Sequence, residues 1–355
     1  MLVGPIYSFC KKHSSGLLIV TLLAFLFAKA NAQDQHFSQY YNAPLYLNPA
    51  MAGVESDLYF GVNYRSQWAS LEAPYESGQF ALIHPLMVRG SQFKHVGGVG
   101  LSAFSESTGE NGSLRSFGAQ MSVAYNLMLN KDASQMISFG LQGGITQKRV
   151  DFSGLTWGSQ YNSFIGFDAN ITPSLDLGLE KVTYPVINTG VMWMFDPGRR
   201  NLYSDFSAFA GVAVSNFNRP NESVLGEDLV SRLPILYKFH GGFNIGVSEL
   251  MSLSPNVLYL RQNQNDQLNL GAYLTYRNPM VIRKFKLQLG AWYRLKDAMI
   301  VSLGILTQNL SLGISYDVNQ STLRSATGGR GSVEVSVGYR INRGQGLKRF
   351  STPLL

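Results

Sequence analysis

The sequence predicts an all-β protein: a transmembrane, up-and-down antiparallel β-barrel of about 14 strands, with a short irregular segment before the first strand. Composition favours this fold class, because 36 of the 355 residues are glycine and 12% are aromatic, whereas only 14% are charged. Soluble domains usually contain about 25% charged residues. A third observation is the period-2 alternation of apolar and polar residues, which is typical of strands with two different faces.

The alternation is clearest near the C-terminus. In the stretch SVEVSVGYR at 332–340, three valines and a tyrosine occupy one face, while serine, glutamate, glycine and arginine occupy the other. Residues 58–65, 267–277 and 284–294 behave in the same way. Strands are predicted at 58–66, 78–87, 97–105, 114–128, 136–147, 186–195, 206–216, 238–247, 251–261, 267–277, 284–294, 298–306, 309–317 and 332–341.

Connection lengths favour a membrane barrel over a soluble two-sheet sandwich, which would also show alternation. Numbered backward from a last strand that ends in the periplasm, the outward connections include the two longest, 148–185 and 217–237. Outer-membrane barrels have short periplasmic turns and longer outer loops, whereas a sandwich has no reason to sort its loops this way. The predicted strands average about ten residues, the length that a tilted strand needs to cross a bilayer.

The N-terminus has the layout of a secretory signal peptide. Lys11 and Lys12 precede an apolar run at 16–28, and small residues follow up to Ala32. This run is shorter than the roughly 20 apolar residues of a membrane-spanning helix, so cleavage after Ala32 is expected, with an uncleaved membrane anchor as the alternative. Cys10 is the chain's one cysteine, and its removal would exclude disulfide, thiolate-metal and cysteine-nucleophile chemistry.

Removal of the signal segment takes three lysines from the chain, which lowers the formal net charge from +7 to +4. That small excess argues against a nucleic-acid partner. The predicted divisions are a signal peptide at 1–32, an N-terminal plug or docking segment at 33–56, a barrel at 57–342 and a short basic tail at 343–355.

No pattern for catalysis, cofactor binding or metal binding is present in the sequence. His36, His84, His95 and His240 have no second ligand at helical spacing. The glycine-rich run at 97–104 lacks the lysine and the following helix of a phosphate-binding loop. We therefore predict that the protein is not an enzyme and has no catalytic, cofactor or metal residues.

Charged residues on the polar faces of the predicted strands are expected to face the lumen. A charge on the lipid side would cost about 2–4 kcal/mol at the bilayer midplane. An ion-pair network that holds a plug or the barrel is the favoured interpretation, and substrate selectivity is the alternative. The residues are Arg65, Arg277, Lys286, Arg294, Glu334 and Arg340.

The stretch YNAPLYLNPAMAG at 41–53 is too proline-rich for a wall strand and too apolar for a free tail. We predict that it folds into or across the periplasmic mouth of the barrel as a plug or strap, with a turn at Asn48-Pro49 and a bend at Gly53. The alternative is a periplasmic docking peptide that orders only on a partner. The residues expected to bind the barrel or a partner are Tyr41, Leu45, Tyr46, Leu47, Asn48 and Pro49.

The chain resembles the PorP/SprF family of outer-membrane proteins of the type IX secretion system. The resemblance is carried by DQHFSQYYNAPLYLNPAMAG at 34–53, GAWYRLKDAMIVSLGI at 290–305, LGISYDVNQSTL at 312–323 and GSVEVSVGYR at 331–340. These anchors span essentially the whole mature chain, although the middle, at 148–237, matches weakly. The stretch before the last strand also lacks a histidine that the family more often has ahead of the glutamate, so no role is expected for a histidine there.

The resemblance implies a barrel without catalysis in the bacterial outer membrane, and the even strand count of the barrel model places both mature termini in the periplasm. Such a barrel supports the secretion or surface display of proteins with type IX C-terminal signals, which include gliding adhesins in some members. Its implied partners are outer-membrane lipid, other secretion components, periplasmic machinery and the secreted clients. The alternative function is a diffusion channel or a hydrophobic-solute transporter of the outer membrane.

Overall fold

A computed structural model describes most of the chain after residue 35. The described residues are 36–71, 73–87, 95–109, 112–131, 134–152, 156–162, 164–168, 170–171, 179–197, 206–224, 230–278, 285–321 and 324–341. The predicted signal peptide and the predicted C-terminal tail lie outside these ranges.

The protein is a closed barrel of fourteen antiparallel strands, as the sequence predicts. Each strand pairs with its neighbours along the chain, and the first strand pairs with the last to close the barrel. The strands are β1 Leu58–Gln67, β2 Tyr75–Met87, β3 His95–Thr108, β4 Leu114–Met128, β5 Gln135–Asp151, β6 Leu179–Phe195, β7 Phe206–Ser215, β8 Leu236–Gly246, β9 Met251–Gln262, β10 Asn265–Asn278, β11 Phe285–Arg294, β12 Ala298–Leu306, β13 Leu310–Asn319 and β14 Arg330–Ile341.

Helical structure in the described part of the chain is limited to short pieces. They include the one-turn helices α1 Pro44–Leu47 and α2 Arg324–Thr327, and 3₁₀ turns at Tyr40–Asn42, Pro49–Gly53 and Gly158–Gln160. Among these residues, no helix is both long enough and apolar enough to span a bilayer.

The strands bury their polar residues and expose their apolar ones, which is the reverse of a soluble domain. On β14, Val335 and Val337 are 43% and 40% exposed, whereas Glu334 and Ser336 on the opposite face are at most 3% exposed. The exposed residues face outward and the buried ones face the lumen. An apolar outer wall of this kind is stable only against hydrocarbon, so the alternation identifies the bilayer-facing surface.

Strands β5 and β6 are longer than predicted, because part of the predicted loop at 148–185 continues their ladder. Both strands have 17 residues, and they pair up to Asp151 and Leu179. We call residues 146–151 and 179–184 the raised rim. The second long loop, at 217–237, contacts β6 next to the raised rim. There the Phe217 N–H donates to the Ile187 carbonyl over 2.9 Å.

The main apolar core lies inside the barrel rather than between layers of a globule. One cluster joins Tyr40, Tyr41 and Met51 from the N-terminal segment to strand residues such as Met192 and Trp292. A second cluster packs Leu45 and Ala52 against Tyr59, Ala81 and Ile83 of β1 and β2, together with Ala124 of β4. Both clusters depend on residues 36–57, which we call the lumenal segment.

Candidate functional site

The lumenal segment is built from two short helical turns that each begin with a proline. Pro44 is the first residue of α1, and Pro49 is the first residue of the following 3₁₀ turn. Proline suits these positions because its fixed backbone angle matches a helix start and its missing N–H has no helical partner there. Between the turns, Asn48 is extended and its Oδ1 accepts the Ala50 N–H over 2.9 Å.

The segment crosses the lumen between the two ends of β1, with its first residues near the end of β1 and its last residues near the start of β1. Glu55 pairs with Arg340, which lies opposite Tyr59 near the start of β1. At the other end of the segment, the Arg65 guanidinium donates to the His36 carbonyl. Arg65 is seven positions after Leu58, which corresponds to about 23 Å along the strand.

The residues predicted to bind the barrel or a partner lie against the inner wall. Tyr41, Leu45, Leu47, Asn48 and Pro49 are buried, and Tyr46 is half-buried. The Asn48 amide donates to the carbonyls of Val191 and Val212 over 3.1 and 3.3 Å, which anchors the segment to β6 and β7.

Glycines in the wall make room for the segment. A Cβ added at Gly140 would overlap the Ala50 nitrogen, and one added at Gly190 would overlap the Asn48 Oδ1. A Cβ at Gly98 would likewise overlap the carbonyl of Ala52. The inner surface is therefore shaped to the backbone of this segment, since even one methyl group at these positions would push it away.

A buried charge cluster holds the end of the segment near Arg65. The Asp317 carboxylate lies 2.8 Å from the Arg65 guanidinium and 3.3 Å from that of Arg294. Glu334 accepts the backbone N–H groups of Ser38 and Gln39 over 2.6 and 3.1 Å. Two cations and two anions thus meet in a water-poor site, where removal of one partner leaves an uncompensated buried charge.

The serine of this cluster bonds to both signs of charge. The Ser38 hydroxyl donates to Asp317 over 2.7 Å, and it accepts from the Arg294 guanidinium over 2.9 Å. The nearby Asn42 amide donates to the Ser336 hydroxyl over 2.8 Å. The segment is therefore bound to β11, β13 and β14 through polar contacts that need its present position.

A second set of contacts fixes the middle of the segment and the end near the start of β1. Arg340 lies 3.1 Å from Glu55, and its guanidinium also sits 4.9 Å from the centre of the Tyr59 ring. The Lys238 ammonium donates to the Tyr46 carbonyl and lies 3.8 Å from the centre of the Tyr46 ring.

Aromatic side chains complete the packing between these charged regions. The Tyr40 hydroxyl donates to Asn256 Oδ1 over 2.6 Å, and the Trp292 indole donates to the same oxygen over 2.9 Å. The Tyr41 ring meets Phe209 edge to face, with 5.6 Å between ring centres. Burial raises the pKa of Tyr40 and Tyr41 above the ordinary tyrosine value, so both hydroxyls stay protonated.

The six charged residues predicted to face the lumen occupy different surroundings. Arg65, Arg294, Glu334 and Arg340 are buried against the segment. Arg277 and Lys286 are opposite each other in the β10–β11 ladder and occupy inward positions, but Arg277 is half-buried and Lys286 is exposed. The predicted charges therefore divide into four that contact the segment or its anchoring cluster and two at a wetter position.

Sequence reasoning missed several of the residues that hold the segment. Asp317 was detectable, because it follows Ser315 at a period-2 position on the polar face of β13. Lys238 was detectable for the same reason, because it alternates with His240 at the start of the strand predicted at 238–247. Ser38 and Glu55 carry no comparable signal, since they lie before the first strand in a segment without period-2 alternation. Among the described residues, no group of three or more His, Cys, Asp and Glu side chains could hold a metal ion.

Comparisons with known proteins give one family. The model of the family described as "Type IX secretion system membrane protein PorP/SprF" matches residues 29–339. No curated protein matches the chain significantly.

Solved structures similar to this chain include three bacterial proteins of low identity. The Ralstonia pickettii toluene transporter TbuX has a TM-score of 0.46 and 12% identity, over 87% of this chain and 94% of that chain. The P. putida toluene transporter TodX has a TM-score of 0.45 and 9% identity, over 85% and 94%. A Pseudomonas aeruginosa FadL homologue has a TM-score of 0.41 and 11% identity, over 83% and 93%. These similarities carry no inference about what this chain binds.

Proposed function

The chain belongs to the PorP/SprF family of type IX secretion system membrane proteins, and from this premise we propose that it is a non-enzymatic docking barrel of that system. In this role it supports the secretion or surface display of proteins with type IX C-terminal signals, including gliding adhesins where these are clients. The observation that favours docking over transport is that the barrel's own N-terminal segment occupies its lumen.

The contacts of the lumenal segment support a plug that stays in place. Its removal would leave the Glu334 carboxylate without the Ser38 and Gln39 N–H donors and would separate Glu55 from Arg340. Breaking a buried ion pair by removing one partner costs about 3–5 kcal/mol. A conduit would need to undo several such contacts in each transport cycle, whereas a docking protein can keep them.

The proposed location is the outer membrane, with the short turns between strands in the periplasm. In this orientation the loops at 148–185 and 217–237 face the cell exterior and receive secreted clients. The inner end of the barrel is then available to periplasmic machinery and other secretion components, while the wall contacts lipid. The Glu55–Arg340 end of the segment is the part nearest to that machinery.

Deletion of the gene, with complementation by the tagged full-length protein, tests this proposal. We expect the deletion strain to retain a reporter bearing a type IX C-terminal signal inside the cell, and the complemented strain to display it. The tagged barrel should also copurify with the reporter and with secretion components from native membranes in mild detergent. Normal display without the gene, or recovery of the barrel alone, would contradict the proposal.

A further inference from the structure

The loop between β5 and β6 carries a small β-hairpin with an unusually apolar tip. Tyr161–Asn162 pairs with Gly166–Phe167 to form it. Phe164 and Ile165 at the tip are 95% and 70% exposed, and Tyr161 and Phe167 on the two strands are 67% and 51% exposed. A contiguous exposed apolar patch on a water-facing surface usually marks an interaction site.

The outer wall shows that this loop begins beyond the hydrocarbon layer. Outward residues of β5 from Ile137 to Ile145 are apolar or glycine, after which Gln147, Arg149 and Asp151 follow at the same period. On the paired strand, the outward Lys181 lies in the same raised rim. Charges on a lipid face are costly, so the bilayer ends near Ile145, and the strand then continues for about 20 Å over six residues.

Polar bonds connect the described residues of the hairpin to each other and to the chain around it. The buried Gln160 side chain accepts the Trp157 N–H and donates to the Ile171 carbonyl, each over 3.0 Å. Asn162 Oδ1 accepts the Phe164 N–H over 2.9 Å. Gly166 closes the turn with a φ of 83°, a left-handed conformation that glycine adopts without strain.

Residues of the raised rim also contact the second long loop. Lys148 forms an ion pair with Glu222 of the second long loop over 3.0 Å. Leu233 of that loop packs against Tyr184 and Val186 of β6. These contacts join the two long loops at the end of the barrel from which the hairpin loop extends.

We propose that Tyr161, Phe164, Ile165 and Phe167 form a protein-docking knob that inserts into an apolar pocket on the secreted client. This inference rests on the proposed function and names the part of the barrel that the client contacts. A protein surface fits better than a lipid headgroup, because residues 156–167 contain no lysine or arginine to bind phosphate. Four large apolar side chains instead suit a desolvated pocket.

Site-specific photo-crosslinking tests the contact. A photoreactive phenylalanine analogue replaces Phe164 in the full-length protein, and a second variant carries it at Val230, a 66% exposed residue of the other long loop. The probe is a tagged reporter with a type IX C-terminal signal. We expect an adduct with the reporter from position 164 at a yield at least several-fold above that from position 230. Equal yields, or adducts with lipid alone, would overturn the proposal.

Surface display separates this inference from the function on which it rests. The double variant Phe164→Ser with Ile165→Ser should reduce displayed reporter at least tenfold, whereas Val230→Ser should leave it unchanged. Both variants should keep the heat-dependent gel mobility of the folded barrel. If gene deletion abolishes display but the double variant retains it, only the knob is wrong; if deletion leaves display intact, the docking function itself is wrong.

Discussion

The backbone N–H of Ser38 donates to the Glu334 carboxylate over 2.6 Å, across a sequence separation of 296 residues. This bond joins the start of the lumenal segment to the last strand of the barrel. Because β14 also closes the barrel against β1, the segment and the closure of the wall share one set of contacts.

Replacement of Glu334 by glutamine should therefore loosen the segment. The two N–H groups bond to different carboxylate oxygens, so the amide keeps an acceptor for only one of them in this geometry. The change also removes one of the two buried anions beside Arg65 and Arg294. We expect a loss of about 1–3 kcal/mol, the cost of an unsatisfied buried polar group, measured as a lower midpoint of barrel unfolding in urea. Glu76→Gln is the matched control because Glu76 is exposed, and an equal shift in both variants would contradict the prediction.

Replacement of Gly190 by alanine should destabilise the barrel through its contact with Asn48. The added methyl group would overlap Asn48 Oδ1, so the segment must shift at a cost of about 1–3 kcal/mol. Gly143→Ala provides the comparison, because its added Cβ meets open space. Thermal unfolding of the two proteins in the same detergent should give a lower transition for the Gly190 variant alone.

Period-2 alternation predicted all fourteen strands. Each strand has one face towards lipid and one face towards the polar lumen, so the pattern can be recognised within the strand itself. The same logic explains why residues 148–151 and 179–184 of the raised rim were assigned to a loop. Beyond Ile145 both faces of β5 meet water or loops, and Gln147 and Arg149 on its outward face no longer contrast with inward residues.

The lumenal position of the charged residues in the site was predictable from the sequence, but their partners in the N-terminal segment were not. Arg65, Arg294, Glu334 and Arg340 could be placed in the lumen from their position on a polar strand face. Their contacts with Ser38 and Glu55 depend on how the N-terminal segment crosses the barrel, and no periodicity encodes that path. Wall glycines such as Gly190 show the same limit, because a glycine alone does not say which backbone approaches it.

A filled lumen should make the purified barrel electrically silent. We expect no steady large openings from the wild-type protein in planar bilayers, and stable openings after deletion of residues 41–51, which removes α1 and most of the following 3₁₀ turn. The deletion protein must keep its heat-dependent gel mobility, because an unfolded barrel also leaks. Large openings from the wild-type protein would instead favour the channel alternative.

The orientation of the barrel can be tested with single cysteines, because Cys10 is the chain's one cysteine and lies in the expected signal peptide. Phe164→Cys places a thiol on the hairpin, and Glu249→Cys places one on the exposed turn between β8 and β9 at the opposite end. A membrane-impermeant maleimide should label position 164 on intact cells, but position 249 only after permeabilisation. The reverse pattern would invert the proposed orientation.

The position of His36 leads to an expectation about the N-terminus that differs from two periplasmic termini. The lumenal segment reaches Arg65, near the end of the barrel that also carries the raised rim, because β1 and β5 run in the same direction. An epitope placed directly after Ala32 should therefore be reached by antibody on intact cells, whereas one placed after Leu355 should need permeabilisation. Heat-dependent mobility of both tagged proteins controls for folding. The opposite result is an epitope after Ala32 that stays hidden until the outer membrane is opened, in a barrel that remains folded. It would mean that the chain before His36 turns back into the lumen or the periplasm. The sequence-based expectation of two periplasmic termini would then stand.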